Sequence, residues 1–378
     1  MKEKRILVVT EEWAGSGHRM AAEALVEALK HIHSDLHVDI VWGLQTASPA
    51  LREMSRFFYL KMLRYSPWLW QRMHDHHGAW AAACKKPLAS WLSGKILTSW
   101  IEQEAPDIVV ATHAYCFAAL AEAKQKATKP FRLVGVPTDF CVHHFWIHPQ
   151  ADAYILAHPQ LEDEIRSHPA MQTTPILHAG IPIRRNFYSS SKREKAKWKE
   201  SLGLHPQHFT VLLSGGEGGY GAMEEVLQGL LGETEPLQIV VITGRNTELQ
   251  ERLRQAAETL SGPSPHVTVV KGYEESIWEW MAAADVFITK PGGISCAEAL
   301  AVRTPLILHH PLPGQEQRNA AFLLDQQAAL FAQSVEQIPA IVQQLRRSPD
   351  QYSEMTRRMS EIGRPHAADQ IAQFLLTL

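Results

Sequence analysis

Three glycine-bearing stretches put chemically useful residues at the ends of apolar runs. In the first, "RILVVT" leads through "EEWAGSGH" to Gly17 and His18, at the head of alanine-rich helical sequence. In the second, "FTVLLSGGEGGYG" places Gly215 and Gly216 directly after an apolar run. In the third, "DVFITKPGGISCAEAL" passes through Gly292 and Gly293 to Ile294, Ser295 and Glu298. Exposed loop amides and the positive end of a helix suit a diphosphate. The Ser295 hydroxyl adds a hydrogen bond, and Glu298, about one turn into the helix, offers a carboxylate to a ribose diol. "PLPGQEQRNAAF" then supplies Gln315, Glu316 and Asn319, a polar cluster fit to read sugar hydroxyls.

The first loop fails as a phosphate grip. It lacks the lysine and Ser/Thr of a Walker loop, and Met20 stands where a dinucleotide fingerprint has its third small residue. One reading is a plain glycine turn from strand to helix. The other is a turn that presents His18 off the carboxyl edge of a sheet, where open α/β sheets bind ligands. An imidazole titrates near neutrality and suits general-base work. Asp139, in "PTDF", ends another apolar run and could serve as that base or orient His18. His143, His144 and His148, in "DFCVHHFWIH", invite a metal reading. Their spacing fits no zinc motif and no cysteine cluster accompanies them, so no metal site is expected.

These residues need a scaffold that brings strand ends together. Ten short β-branched runs alternate with helical stretches, and several are apolar throughout, as parallel strands covered on both faces are. The rhythm predicts a doubly wound α/β architecture. It breaks at 188–207, a polar, lysine-bearing stretch that reads as a linker with a short helix, after which the strand-then-glycine pattern restarts. The expected layout is one Rossmann-like domain over 1–187, a second over 208–350, and C-terminal helices over 351–378 that pack on either half. A chain of 378 residues fits two domains.

Composition narrows the class. Charged residues make up 20% and the net charge is −3, which argues against a nucleic-acid partner. No apolar run approaches the roughly 20 residues that span a bilayer, and "MKEKRILVVT" enters a strand without a signal-peptide pattern. Four scattered cysteines fit reduced thiols in a cytoplasm. Residues 52–100 stand apart: eight Lys/Arg face only Glu53 and Asp75, and Trp68, Trp70, Trp80, Trp91 and Trp100 lie among them. Basic charge attracts anionic headgroups and tryptophan favours the interface, so this segment is expected to dock on a membrane surface. Core tryptophans beneath a solvated basic face is the plainer alternative.

The sequence "KPGGISCAEALAVRTPLILHHPLPGQEQRNAAF" resembles the donor-binding signature of bacterial processive diacylglycerol glucosyltransferases. These are relatives of plant monogalactosyldiacylglycerol synthases and, more distantly, of the lipid II N-acetylglucosaminyltransferase. The resemblance extends, in order and with similar spacing, to "GSGHRMAAEAL", "PTDFCVHHFWIHPQADAYILA", "GIPIRRNF", "ITGRNTEL" and "KGYEESI". It implies the B-type glycosyltransferase fold, two Rossmann-like domains facing across a cleft. It also implies an inverting, metal-independent hexose transfer from a UDP-sugar, most simply UDP-glucose, to diacylglycerol or a related lipid. The UDP-sugar is then a substrate, and no cofactor is expected. By the resemblance, Gly292, Gly293, Ile294 and Ser295 meet the diphosphate and Glu298 the ribose. Gly272 and Tyr273 face the uracil, and Gln315 and Glu316 bind the sugar with Asn319 nearby. Gly17, Gly215, Gly216 and Arg245 are further candidate donor contacts. "SGGEGGYG" and "TEEWAGSGH" depart from the family's usual loops. A galactosyl enzyme, transfer to another lipid-linked or soluble glycoside acceptor, a UDP-sugar 2-epimerase and a silent nucleotide-sugar sensor are the competing readings. The expected location is cytoplasmic, on the inner face of the cell membrane.

Overall fold

The run "RILVVT" forms β1 (Arg5–Thr10), with Ile6 to Val9 fully buried. Apolar side chains on both faces require cover on both faces, which is what a parallel sheet between helical layers provides. The computed structural model describes residues 4–11, 16–43, 98–190, 193–260 and 266–378. Most of the basic, tryptophan-bearing segment, 52–97, lies outside the described residues, as does Gly15. Tertiary contacts divide the chain into two units: Met1–Arg185 with Pro313–Gln315 and His366–Leu378, and Asn186–Leu312 with Glu316–Pro365.

In the first unit, six parallel strands run in the order β2-β1-β3-β4-β5-β6. They are β1, β2 (His37–Trp42), β3 (Ile108–Ala111), β4 (Arg132–Gly135), β5 (Ala153–Ile155) and β6 (Ile176–Leu177). Helix α1 (Ser16–Ile32) follows β1 and buries Ala21, Ala22, Ala24, Leu25, Ala28 and Leu29, one stripe at helical spacing. Helices α2 (Thr98–Glu104) and α3 (Ala114–Lys126) flank β3, and α4 (Glu162–Arg166) follows β5. The C-terminal helix Ala367–Thr377 completes this unit, because Ile371, Ala372 and Leu375 join the core formed by α1, β1 and β3.

The second unit has parallel strands in the order β12-β11-β10-β7-β8-β9. They are β7 (Thr210–Ser214), β8 (Gln238–Ile242), β9 (Val267–Lys271), β10 (Val286–Thr289), β11 (Leu306–Leu308) and β12 (Ala329–Phe331). The stretch 188–207, expected as a linker with a short helix, holds α6 (Lys195–Ser201) and the end of α5 (Arg185–Ser190), and the division between units falls at Arg185. Trp198 Nε1 donates to the Ser190 carbonyl at 3.0 Å, so these two helices are tied together and not strung out. Helices α7 (Met223–Leu231), α8 (Thr247–Leu260), α9 (Ile277–Ala283), α10 (Gly293–Val302) and α11 (Gln315–Asp325) follow successive strands. Helices α12 (Ile338–Arg347) and α13 (Pro349–Ile362) close the unit. Of the helices expected over 351–378, α13 therefore belongs here and only the last returns to the first unit.

Among the described residues, ten of the twelve strands coincide with apolar runs visible in the sequence; β6 and β12, of two and three residues, do not. Both are sheet edges, half-covered and too short to show a period. Among the described residues, no helix is long and apolar enough to cross a membrane. Cys116, Cys141 and Cys296 are free and buried.

Candidate active site

Each sheet has a point where successive connections leave in opposite directions, and crevices form there at the carboxyl ends of strands. In the first unit that point lies between β1 and β3, which pair in parallel with Val9 beside Ala111. Thr10, Thr112 and His113 sit at the two strand ends, and His18 stands in the first turn of α1. The imidazole is fixed by contacts far away in sequence. Its Nδ1 lies 2.9 Å from the Thr112 carbonyl and 2.8 Å from Thr138 Oγ1. A carbonyl only accepts, so Nδ1 carries the proton and Nε2 of the neutral ring keeps its lone pair. The Thr112 hydroxyl closes the loop, donating to the His18 carbonyl at 3.0 Å and accepting from Thr10 Oγ1 at 2.7 Å.

Electrostatics favour the neutral ring. Burial lowers the His18 pKa, while the charge of Asp139 and the Thr112 carbonyl oppose that fall. His113 packs edge-on against His18, with ring centroids 4.7 Å apart. Burial, then the charge of His18, hold His113 well below the usual histidine range. Asp139 is half-buried and close enough for its charge to reach His18, so the structure brings the two candidate bases together. Gly17 shares the first turn of α1 with His18 and so belongs to this unit, apart from the other glycine loops. His143 is buried, and its Nε2 accepts from Gln315 Nε2 at 3.3 Å, both residues falling in the first unit.

In the second unit the switch lies between β7 and β10, where Ser214 pairs with Thr289. The strand ends set Gly215 and Lys290 side by side. Gly216 and Gly219 adopt positive φ, +75° and +62°, and the chain folds back so that Tyr220 N–H donates to the Gly215 carbonyl at 3.1 Å. A Cβ on Gly215 would lie 2.0 Å from the Tyr220 carbonyl oxygen, so only glycine permits this loop. We expect Gly215→Ala to open the loop and weaken UDP binding about tenfold, read by isothermal titration, with cost on the scale of local backbone strain. Unchanged affinity would remove this loop from the donor site.

After β10, Gly292 caps α10, and Gly293 and Ile294 form its first residues with amides unpaired within the helix. Ser295 is half-buried and Glu298 buried on the same helix. Asn319 is wholly buried, and its Nδ2 donates to the Pro291 carbonyl at 3.0 Å, so it braces the loop and does not point to solvent. Glu316 pairs with Lys290 and accepts from the Leu312 amide at 2.9 Å. After β8 and β9, the Arg245 guanidinium stacks 4.6 Å from the Tyr273 ring centroid and pairs with Glu217. Gly272 abuts Gln250, whose Oε1 would be 2.9 Å from an added Cβ. Thus Gly215, Gly216, Arg245, Gly272, Tyr273, Gly292, Gly293, Ile294, Ser295, Glu298, Glu316 and Asn319 share one edge of the second sheet. Gln315, Gly17, His18 and Asp139 belong to the first unit.

Sequence reading passed over Thr112, His113, Thr138 and Lys290. Lys290 was within sight, since an ammonium next to a glycine pair after a strand is a counter-charge for phosphate. The other three carry no local signal. Among the described residues, no three His, Cys, Asp or Glu side chains gather so as to hold a metal ion.

Two parallel-sheet Rossmann-like units, each with its polar residues at the carboxyl edge, define the B-type glycosyltransferase class of fold. Acinetobacter baumannii MurG superposes with a TM-score of 0.68 at 16% identity, covering 99% of this chain and 100% of that one. UDP-GlcNAc 2-epimerase from Neisseria meningitidis, solved with UDP-GlcNAc, gives 0.61 at 12% identity over 99% and 100% of the two chains. Within that class the two halves of the chain are similar to two glycosyltransferase family domains. Residues 18–183 match the monogalactosyldiacylglycerol (MGDG) synthase model, and residues 211–371 match the glycosyltransferase family 28 C-terminal domain. The processive diacylglycerol beta-glucosyltransferase of Bacillus thuringiensis (strain Al Hakam) is 29% identical over 380 residues, spanning 100% of this chain and 94% of the relative.

Proposed function

We propose that this chain transfers glucose from UDP-glucose to the 3-hydroxyl of diacylglycerol, inverting the anomeric carbon and forming a membrane glycolipid. Support comes from full-length relatedness to enzymes named for that transfer and from the two family domains. The observation that carries the chemistry is His18, whose Nδ1 proton is committed to Thr112 and whose Nε2 is left as a base. His18 Nε2 takes the proton of the acceptor hydroxyl as its oxygen bonds to the anomeric carbon. The bond from that carbon to the diphosphate breaks, and UDP departs with the electron pair. Asp139 steadies the imidazolium that forms. Charge on the departing UDP is met by the amides at the start of α10 and by Lys290, preorganised donors of the kind that stabilise developing anions. In this reading no metal or cofactor enters the reaction.

The acceptor is a lipid, so the enzyme works at a surface. Segment 52–100, by composition, is the membrane-docking element, and the chain sits peripherally on the cytoplasmic face where UDP-sugars are made. The test is incubation with labelled UDP-glucose, UDP-galactose and UDP-GlcNAc over diacylglycerol micelles. A labelled lipid with UDP-glucose is the expected product. Tight UDP binding without lipid product from any donor would replace the enzyme with a nucleotide-sugar sensor.

A further inference from the structure

At the amino end of the second sheet, opposite the glycine loops, positive charge exceeds what the nearby carboxylates neutralise. Asp285 stands just before β10. Its Oδ2 accepts from the Thr210 amide at 2.8 Å and from Lys199 Nζ at 2.6 Å, and its Oδ1 lies 3.2 Å from Lys195 Nζ. Lys195 and Lys199 are one turn apart on α6, so like charges share a helix face with one carboxylate between them. Lys199 also donates to the His208 carbonyl at 2.7 Å, and Lys195 to the Tyr352 hydroxyl at 2.7 Å. An ammonium has three donors, so each keeps one beyond these bonds. A tie between α6 and the sheet needs only one of the two lysines.

The excess charge borders space. A cavity of about 380 Å³ opens here, lined by Lys195, Lys199 and Asp285 together with Gln207, Phe209 and Arg346. Arg346 adds a third cation, and the carboxylate it reaches at 3.1 Å, Glu235, is shared with Arg347. The Lys199 side chain is only 4% exposed, so its charge is poorly solvated. Burial lowers its pKa, with Asp285 opposing, while burial of Lys195 is outweighed by Asp285 and Tyr352.

We propose that this cavity binds a phosphate monoester, its dianion held by Lys195, Lys199 and Arg346, with Phe209 beneath a small sugar-sized group. A dianion supplies the charge that Asp285 alone leaves unmatched, and phosphate is the anion that clustered Lys and Arg hold best. The volume is in the range of small-molecule sites. Because the cavity and the glycine loops occupy opposite ends of the sheet, the site is separate from donor binding and does not rest on the proposed transfer.

The test is titration of the full chain with inorganic phosphate and with glucose 6-phosphate, UDP being held at saturation throughout. Both are expected to bind with UDP in place. Lys195→Met and Arg346→Gln should each weaken that binding about tenfold, the loss of one charge-assisted contact, and Lys195→Arg should restore most of it. Lys199 is too buried for a clean variant, whereas Arg346 lies at the rim and its change leaves folding intact, checked by thermal midpoint. Sedimentation with phosphatidic-acid vesicles separates the sources: capture lost in Lys195→Met assigns the site to a lipid headgroup, and capture unaffected by that change assigns it to a soluble ester. No phosphate binding with UDP in place, or binding that Lys195→Met leaves unchanged, overturns the proposal.

Discussion

His18→Ala should lower turnover by about 10²- to 10⁴-fold, the range for loss of a general base, while UDP affinity stays nearly constant. The reason is placement: His18 and its partners Thr112 and Thr138 belong to the first unit, and the glycine loops proposed to hold the donor belong to the second. The pH profile should carry the same signature. In the proposed mechanism His18 works as the neutral ring, and burial lowers its pKa, so activity should be full near neutrality and fall as pH drops through that lowered value. Thr138→Val should leave the fold intact yet reduce turnover less than His18→Ala, since Thr112 still fixes Nδ1. Steady-state kinetics on lipid micelles, paired with UDP titration, read both quantities. Equal loss of turnover and UDP affinity in His18→Ala would return this loop to a nucleotide role.

The second large effect is acid destabilisation centred on His309, at the end of β11. Its side chain is buried, Nδ1 makes no hydrogen bond among the described residues, and Gly221 packs against the ring. Burial, and then the charge of His310, pull its pKa from 6.5 to about 4. Between those values the unfolded chain binds a proton that the folded chain refuses. Stability is therefore full above pH 6.5 and declines as pH falls, by about 3 kcal/mol once pH reaches 4. His113 acts in the same direction. Urea unfolding at pH 7.5 and 4.5 should show this loss in the parent chain, and His309→Gln should remove most of the His309 share. A pH dependence unchanged in His309→Gln would mean that the ring protonates in place.

The sequence announced what is local. "RILVVT", "FTVLLSGG" and "DVFITK" are strands because continuous apolar runs have no other way to be covered on both faces, and glycines mark the turns after them. His18 was visible because a histidine directly after a Gly-Ser-Gly run at the end of an apolar strand is unusual for a plain turn. What held His18 was not visible. Thr112 and Thr138 are 94 and 120 residues away, and only the strand order β1-β3-β4 brings them to it. Asn319 read as one of a polar cluster after a strand; that it is buried and donates to the Pro291 carbonyl was not legible, because burial comes from the surrounding fold. The stretch 188–207 read as a linker with a short helix because lysines and serines lack an apolar period. Its order comes from particular pairs, such as Lys199 with Asp285, that cross 86 residues. Gln315 and Glu316 looked like one cluster, but adjacent residues at a helix start point to different sides, and their contacts fall in different units.

The helix Ala367–Thr377 has a consequence for how the chain is made. Ile371, Ala372 and Leu375 complete a core whose other members, Ile6, Val8 and Leu25, are synthesised long before them. On the ribosome, the opening unit waits with α1 uncovered until that helix emerges, by which time everything needed for the later unit is already out. The half whose strands leave the tunnel first is therefore completed last, and a stop codon just before Ala367 would leave Ile6, Val8 and Leu25 without those partners.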